Sequence, residues 1–258
     1  MPGGRYDSSK TRVVPFFEQL EARTDDWVRT LLEASRFGHP ACSVPSDLDL
    51  TFEKGEWGDA EHGYTPPESL LRWMVSNPHR LRQQTSSVSA RRELLEGSAR
   101  RLTEALENID RSNGDRSWFV LEGTTYPDAV LTTRDAIVVV EGKRTESGPT
   151  TKTSWLDGRH QMWRHIEGAW QVRGTRKVFG IFMVDSPSEQ LPAKWQAASE
   201  ATFAERALES SFPHRRSEER EALARCFRGI ITWRAACALL AIDYDALPDT
   251  VSGIVPRG

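Results

Sequence analysis

The sequence lacks the features that mark a membrane protein or a disulfide-linked secreted protein. Three of its 258 residues are cysteine, an odd number with no CxxC spacing, which argues against both a disulfide framework and a zinc knuckle. No hydrophobic run approaches the length of a membrane span, and the first residues lack the hydrophobic region of a signal peptide. We therefore expect a chain of the reducing cytoplasm without a membrane partner.

Charge of one sign is also scarce. The net charge of −3 excludes a strongly basic protein that coats DNA. The charge is nevertheless uneven, because residues 134–177 contain nine Lys and Arg against five Asp and Glu. A local basic surface of this kind can contact phosphates even on an acidic protein. The candidates for contacts with nucleic acid in this segment are Arg144, Lys152, Arg159 and His165.

Several common catalytic motifs are missing as well. Gly142-Lys143 is not a phosphate-binding Walker loop, because residue 137 is Ile and Arg144 stands where Ser or Thr is required. The sequence contains no GxSxG, no HExxH and no dinucleotide-type GxGxxG. We therefore expect neither a nucleotide cofactor nor a zinc hydrolase.

The most informative segment is a pair of short hydrophobic runs with charged residues at their ends. Asp128 precedes the run 129–132, and Glu141 and Lys143 follow the run 137–140. The tight turn between the runs predicts a β-hairpin. Side chains alternate across a strand, so Glu141 and Lys143 point to the same side. Two carboxylates and an ammonium then meet at a sheet edge, where they suit a hard divalent cation and a water beside a phosphate.

With Pro127-Asp128 on one strand and Glu141-Gly142-Lys143 on the next, the segment resembles the PD-(D/E)xK nucleases, the restriction-endonuclease-like superfamily. The resemblance implies an α/β core of one helix, a three-stranded antiparallel meander, a second helix and a final strand. It also implies that Asp128, Glu141 and the Gly142 carbonyl bind Mg²⁺, for which Mn²⁺ substitutes. Lys143 would orient or deprotonate the attacking water while a phosphodiester bond is hydrolysed.

The order of predicted elements extends the resemblance over residues 89–186. Hydrophobic periodicity predicts a helix over 89–110 and a second one over 154–170, whose apolar stripe contains three tryptophans. Residues 118–121 are predicted to form the first strand of the meander, and 177–184 the last strand of the core. The core would therefore be continuous in sequence.

The rest of the chain is predicted to be additions to that core. We divide the chain into an accessory, mostly helical N-terminal region, the nuclease-like core and a helical C-terminal region, with bounds 1–88, 89–186 and 187–258. In the first region 16–34 and 69–75 are predicted helices, and 38–63 is rich in loops. In the last region 197–210 and 218–240 are predicted helices, and the end of the second is a candidate for the start of a DNA-reading helix-turn-helix.

Two subsidiary features of the family can be sought residue by residue. Many members carry a further acidic residue on the first helix that joins the metal site. Four glutamates of the predicted helix are candidates that the sequence does not separate: Glu93, Glu96, Glu104 and Glu107. Some members carry a glutamine on the second helix, and Gln161, with His165 one turn later, matches that position. The Gln161 amide would then lie at the rim of the metal site.

We therefore predict a metal-dependent DNA endonuclease, a hydrolase whose partner is DNA. One alternative is a catalytically inactive nuclease-fold module that binds nucleic acid or a protein. Another is a structural α/β protein in which the motif is accidental. Cutting both strands of a duplex often requires two active sites, so a homodimer is an assembly that this function allows.

Overall fold

A mixed β-sheet is the centre of the computed structural model, which describes residues 7–58, 62–81, 89–110, 121–153 and 155–251. Within these residues the strands are β1 Arg36–Phe37, β2 Phe52–Trp57, β3 Ala129–Thr133, β4 Ala136–Lys143, β5 Lys177–Val184 and β6 Phe227–Thr232. Across the sheet they follow the order β1-β6-β5-β4-β3-β2. The chain is therefore an α/β protein with an open six-stranded sheet in the part that is described.

Helices cover the sheet and connect its strands. They are α1 Val14–Phe17, α2 Trp27–Ala34, α3 Glu68–Ser76, α4 Ser89–Leu95, α5 Ala99–Asp110, α6 Gln161–Val172, α7 Ala193–Thr202, α8 Glu205–Ser211, α9 Ser217–Ala224 and α10 Trp233–Leu239. A π-helical turn, Ser9–Val13, leads into α1, and 3₁₀ turns occur at Pro78–Arg80 and Tyr244–Ala246. Among the helices of the described ranges, none is both long enough and apolar enough to cross a membrane.

The strand directions place three carboxyl ends at one edge of the sheet. β2, β3 and β4 form an antiparallel meander, whereas β4, β5 and β6 are parallel, and β1 is antiparallel to β6. Lys143, Val184 and Thr232 are in register across the three parallel strands. Open α/β sheets commonly bind ligands just outside the carboxyl ends of their strands. This edge is therefore where a functional site is expected.

The middle of the sheet is buried on both faces, which explains why 137–140 is an uninterrupted hydrophobic run. Val138 and Val140 belong to a core formed with α1, α2 and α10, whereas Ile137 and Val139 belong to a core formed with α6, α8 and α9. β-Branched side chains suit such a strand because they pack well on a pleated surface. A third core lies between α3, α4 and α5.

The elements with the strongest local patterns are confirmed. β3 and β4 form the predicted hairpin, whose register joins Ala129 to Val140 and Thr132 to Ile137. The hydroxyl of Thr133 accepts a hydrogen bond from the Ala136 backbone N–H across the turn. The last strand of the predicted core, 177–184, is β5, and the predicted helix 69–75 is α3 with one residue added at each end.

The prediction for the first helix and the first strand of the core is corrected. The helix predicted over 89–110 is two helices, because Gly97 adopts φ +86° after α4 and a left-handed residue ends a helix. Residues 118–120 of the predicted strand lie outside the described residues, and Leu121 stands in a bend. The first strand of the meander is instead β2, which comes from the region predicted to be rich in loops.

The second helix is shorter at its start than predicted. It begins at Gln161 rather than at 154, and it continues to Val172. Gly158 adopts φ +79° just before it, a conformation that interrupts a helix. Trp155 is consequently not on α6 but packs in the core between α3, α4 and α5. Of the three tryptophans assigned to the stripe, Trp163 and Trp170 are on the helix.

The terminal regions are less helical than predicted. The helix expected over 16–34 is two short helices, α1 and α2, separated by turns. The helix expected over 218–240 contains β6, whose apolar residues Phe227, Ile230 and Ile231 are buried in the sheet. Residues 230–232 are thus strand, which overturns the helix-turn-helix hypothesis at this place. The regions 1–88, 89–186 and 187–258 all contribute strands to the one sheet.

Candidate functional site at the carboxyl edge of the sheet

The predicted motif residues meet where the β3–β4 hairpin stops pairing. The ladder ends at Ala129 opposite Val140, so β4 extends beyond β3 by three residues. Asp128, which directly precedes β3, continues the pairing with its side chain, because its Oδ2 atom accepts the Gly142 backbone N–H at 2.8 Å. The Asp128 carboxylate is thereby fixed beside the middle residue of Glu141-Gly142-Lys143.

The backbone of β4 also directs the Gly142 carbonyl towards Asp128. The Lys143 carbonyl accepts a hydrogen bond from the Asp185 backbone N–H at 2.9 Å, so the backbone polar groups of Lys143 point towards the β5 side of the strand. Backbone groups of successive strand residues alternate between the two neighbouring strands, and the N–H and C=O of one residue point the same way. Gly142 therefore presents both groups on the side of Asp128, where the resemblance expects a metal-ligating carbonyl.

Glu141 is a buried carboxylate held by three side chains. Its Oε1 atom accepts the Gln161 amide Nε2 at 2.6 Å and the Lys143 ammonium at 2.9 Å. Its Oε2 atom contacts His165 Nε2 at 3.0 Å. The Glu141 residue is 3% exposed and Lys143 is 8% exposed, so these contacts replace hydration that both ions have lost. The contact with Lys143 confirms that Glu141 and Lys143 lie on one side of the strand.

The pair formed by Glu141 and Lys143 is ionised at neutral pH. Burial on its own raises the pKa of Glu141, but hydrogen bonding to His165 and the charges of His165 and Lys143 outweigh it and lower that pKa. Burial likewise lowers the pKa of Lys143, but the charges of Glu141, Glu146 and Asp128 outweigh it and raise that pKa. Lys143 is therefore a fixed ammonium in this arrangement, and Asp128 is close enough to act on it.

His165 supports the site from inside the protein. It is 1% exposed, and its Nδ1 atom lies 2.9 Å from the Thr125 hydroxyl while Nε2 contacts Glu141. Because a carboxylate only accepts hydrogen bonds, Nε2 carries the proton of that contact. The prediction that His165 contacts nucleic acid is wrong for this structure, since its ring is buried and orients Glu141. Thr125 was not predicted, because it lies forty residues before His165 in the sequence and the two side chains meet only in the folded protein.

Gln161 stands where the resemblance predicted, at the rim of the site. It is the first residue of α6, and its backbone N–H donates to the Thr150 carbonyl at 2.8 Å. His160 caps the helix, its Nδ1 atom accepting the Met162 N–H, and burial lowers the pKa of His160 to about 3. The Glu141 carboxylate therefore lies beside the first turn of α6, where the Gln161 and His165 side chains contact it.

One atom of Gln161 is unusual for its surroundings. Its Nε2 atom donates a hydrogen bond to Glu141, but its Oε1 atom is buried and has no hydrogen-bond partner among the described residues. A buried amide oxygen without a donor costs free energy, and such atoms occur where a bound water, ion or substrate completes the contact. The orphaned oxygen belongs to the amide that contacts Glu141, so a hydrated cation held by that carboxylate could supply its missing donor.

The glutamates proposed as a further metal ligand are not brought to this edge. Glu93 and Glu104 form ion pairs with Arg100 and Arg101 on α5, and Glu96 and Glu107 are exposed. α5 packs mainly on α3 and α4. Within the described ranges, no three His, Cys, Asp or Glu side chains are grouped so that they could hold a metal ion. Helix α5 is turned away because its apolar face is used by the third core.

The remaining donors still fit a magnesium ion. Asp128, Glu141 and the Gly142 carbonyl supply hard oxygen ligands, and Mg²⁺ is commonly bound by one or two carboxylates while it keeps several waters. The Gln161 Oε1 atom is suitably placed to accept from such a water. A cation at Glu141 Oε1 would compete with Lys143 for the same oxygen, at 2.9 Å.

Arg159 is structural rather than a contact for nucleic acid, which corrects another prediction. The guanidinium is 1% exposed and pairs with Glu122 and Glu167, each at 2.8 Å. Glu167 is also held by His214 and Arg215, each at 2.9 Å. The charge of Arg159 and the hydrogen bond from His214 lower the pKa of Glu167 to about 2 although burial alone would raise it. This network joins α6 to the segment that follows α8.

The last two predicted contacts for nucleic acid differ in exposure. Lys152 is exposed near the amino end of α6 and remains a candidate. The Arg144 side chain is 7% exposed and forms ion pairs with Asp185 at 2.8 Å and Asp249 at 3.0 Å.

Glu167 was not predicted, although the sequence contains a signal for it, because it lies four residues after Trp163 on the apolar stripe of α6. A charged residue on such a stripe indicates a buried ion pair.

We compared the chain with protein-family models, with curated proteins and with solved structures. No family model matches it, and no curated protein or solved structure matches it significantly. The interpretation of the site consequently depends on the geometry of the side chains themselves.

Proposed function

We propose that the protein is a metal-dependent DNA endonuclease that hydrolyses phosphodiester bonds at the Asp128, Glu141 and Lys143 site. The observation that carries the proposal is the convergence of these side chains at the carboxyl end of β4, with the Gln161 amide on Glu141 at 2.6 Å. The Gln161 contact joins the hairpin to α6, an element twenty residues further along the chain, and the His165 contact with Glu141 is a second link of the same kind. Accidental charges at the end of a strand would not need such a partner.

The fold supports a restriction-endonuclease-like core in part. An antiparallel meander is followed by a crossover helix and a parallel strand, as β2-β3-β4, α6 and β5. The order along the chain departs from the family at one point, because β2 precedes α4 and α5 instead of following them. The departure leaves the part of the core that carries the motif, β3 through β5, in the expected order.

The proposed roles follow from charge and position. Asp128, Glu141 and the Gly142 carbonyl would hold Mg²⁺, which supplies charge neutralisation and an acidified water when it is bound. Lys143 is an ammonium in the present arrangement, so it is suited to orienting the attacking water and stabilising the phosphoryl oxygens. The charge of Glu141 raises the Lys143 pKa, which favours this role over that of a general base. His165 keeps the Glu141 carboxylate oriented.

The direct test is incubation of supercoiled plasmid with the protein and Mg²⁺ or Mn²⁺. We expect conversion to nicked and linear forms that stops when EDTA is added. The inactive-module alternative has one observation in its favour, since both oxygens of Glu141 are already engaged by protein donors. DNA binding without cleavage under either metal would favour that alternative. The absence of both DNA binding and cleavage would contradict the nuclease proposal, and of the inactive-module alternative it would leave only a module whose partner is not DNA.

Replacing Gln161 by alanine is expected to lower turnover by roughly ten- to a hundredfold, the scale of a group that orients a metal ligand. The change removes the 2.6 Å hydrogen bond to Glu141 and the orphaned Oε1 atom. Cleavage rates under saturating Mg²⁺ measure it, and thermal melts check the fold.

Gln171→Ala is the matched control, because Gln171 is an exposed glutamine on the same helix that donates to the Thr65 carbonyl at 3.5 Å. It should leave turnover unchanged. Equal turnover in the two variants would show that Gln161 has no role in cleavage.

A further inference from the structure

A second group of charged side chains lies just past the carboxyl ends of β4 and β5. Arg144 follows Lys143 directly, and Asp185 follows the last residue of β5. Arg12, from the π-helical turn at the amino end, joins them. The side chain of Arg144 contacts Thr11, whereas Lys143 contacts Glu141 beneath α6. The group therefore flanks the proposed catalytic site on the other face of the sheet.

The two arginines are fixed from inside the protein by Asp185. Arg144 Nε contacts Asp185 Oδ2 at 2.8 Å, and Arg12 Nε contacts Asp185 Oδ1 at 3.5 Å. The Tyr244 hydroxyl donates to Asp185 Oδ1 at 2.7 Å, and its ring lies 4.9 Å from the Arg12 guanidinium carbon. These contacts hold both guanidinium groups in place whether or not anything binds outside them. The two cations and one anion leave a net charge of about +1.

Asp249 neutralises that remaining charge from the outside. Its carboxylate Oδ1 atom lies 3.0 Å from Arg144 Nη2 and 3.9 Å from Arg12 Nη2, and its carbonyl accepts Arg144 Nη1 at 2.6 Å. The exposures differ sharply within this contact. The arginine side chains are 4% and 7% exposed, whereas that of Asp249 is 83% exposed. The acid can therefore be displaced without uncovering a core.

We propose that Arg12 and Arg144 form a phosphate-binding position for the DNA backbone, and that Asp249 occupies it as an internal carboxylate until a phosphodiester displaces it. Arginine N–H groups bind carboxylate and phosphate oxygens alike, so a phosphate oxygen can take the place of Asp249 Oδ1 on Arg144 Nη2, with the Arg12 charge 3.9 Å away. Arg144 adjoins Lys143 in the chain, so a phosphate there would belong to the strand that crosses the catalytic edge. The proposal relies on the proposed function for its substrate.

The test is the affinity of labelled duplex DNA for the full-length protein in EDTA, measured by fluorescence anisotropy over a range of salt. In the wild type the phosphate must displace Asp249, so no net ion pair is gained. Asp249→Asn should therefore raise affinity roughly three- to tenfold at low salt. It should also steepen the slope of log affinity against log salt by about 0.9, the value of one additional phosphate contact.

Asp245→Asn is the matched control. Asp245 is also 83% exposed and pairs with Arg234 at 3.6 Å, so the charge change is the same without a contact to Arg144. A gain confined to Asp249→Asn, lost again when Arg144→Gln is added, supports the proposal. Equal gains in both single variants, no gain, or no measurable DNA binding by any form would overturn it.

Two further measurements are needed. One distinguishes an internal phosphodiester from a terminal phosphate, and the other distinguishes failure of this proposal from failure of the nuclease proposal. Duplexes with and without a 5′-phosphate should show the same gain if an internal phosphodiester binds, and a gain confined to the phosphorylated duplex would overturn the assignment to the backbone. Metal-dependent cleavage with no difference between Asp249→Asn and Asp245→Asn would leave the nuclease proposal standing and this one refuted. A gain in affinity confined to Asp249→Asn, without cleavage by any form, would support the phosphate-binding position and refute the nuclease proposal.

Discussion

Replacing Asp128 by asparagine is expected to reduce DNA cleavage by at least about a thousandfold while the fold stays intact. Asparagine keeps a carbonyl oxygen that can accept the Gly142 N–H, now bound by Asp128 at 2.8 Å. The substitution therefore removes the negative charge required by a cation and leaves the end of the hairpin paired. Single-turnover cleavage in Mg²⁺, together with denaturation curves, measures the two effects separately.

Asp135→Asn is the matched control for that change. Asp135 lies at the opposite end of β4, and its Oδ2 atom accepts the Asp49 N–H at 2.8 Å, the same kind of contact. Cleavage should be unaffected there. DNA affinity in EDTA should be unchanged or higher in Asp128→Asn, since a negative charge has been taken from the path of the phosphates. Wild-type cleavage by Asp128→Asn would show that any nuclease activity resides elsewhere.

Replacing Arg159 by methionine is expected to destabilise the protein by about 3–5 kcal/mol, because breaking a buried ion pair leaves uncompensated charge. Both of its carboxylate partners, Glu122 and Glu167, are almost completely buried. Methionine fills a similar length without the charge, so the loss is electrostatic more than steric. Urea denaturation measures the difference in the free energy of unfolding.

A double variant separates the ion pair from packing. Adding Glu122→Gln to Arg159→Met removes one of the stranded charges, so the two changes together should cost less than their sum. Arg100→Met is the surface control, since its pair with Glu104 at 2.9 Å has a 63% exposed arginine side chain, and little change is expected. Strict additivity in the double variant would contradict the pairing of Arg159 with Glu122.

The same network sets a direction for pH. The pKa of Glu167 is lowered from 4.5 to about 2 in the folded protein, so the folded state favours its ionised form. The stabilisation is complete above pH 4.5 and is lost as the pH falls towards 2. The difference between wild type and Arg159→Met should therefore shrink in acid and stay constant near neutral pH.

The sequence was sufficient for elements whose patterns are local. The hairpin was predictable because β-branched runs flank a short turn, and the positions of Glu141 and Lys143 followed from strand parity alone. Gln161 was found by its place after the motif, although α6 begins seven residues later than periodicity indicated. For the hairpin the deciding interactions are between residues close in the chain, whereas Gln161, twenty residues from Glu141, was predicted from the resemblance.

The parts that the sequence did not reveal depend on distant partners. β2 contains Glu53, Lys54 and Glu56, charges that suit the edge of a sheet, but its strand character appears only when β3 pairs with it from more than seventy residues away. β6 runs directly into α10, so its short apolar run was inseparable from helical periodicity. The burial of Arg159 likewise requires two acids from separate segments.

The middle residue of the motif ties the proposed site to both ends of the chain. A Cβ atom on Gly142 would lie 2.7 Å from Val13 and 3.1 Å from the Trp233 ring, and 3.3 Å from the Asp128 carboxylate. Val13 ends the π-helical turn before α1 and Trp233 begins α10, so this turn and α10 lie against the backbone of the motif. A fragment limited to 89–186 would lose this wall and the strands β2 and β6 beside it. The chemistry of the hairpin is thus inseparable from the sequence that surrounds it, and transplanting the motif would require carrying both termini along.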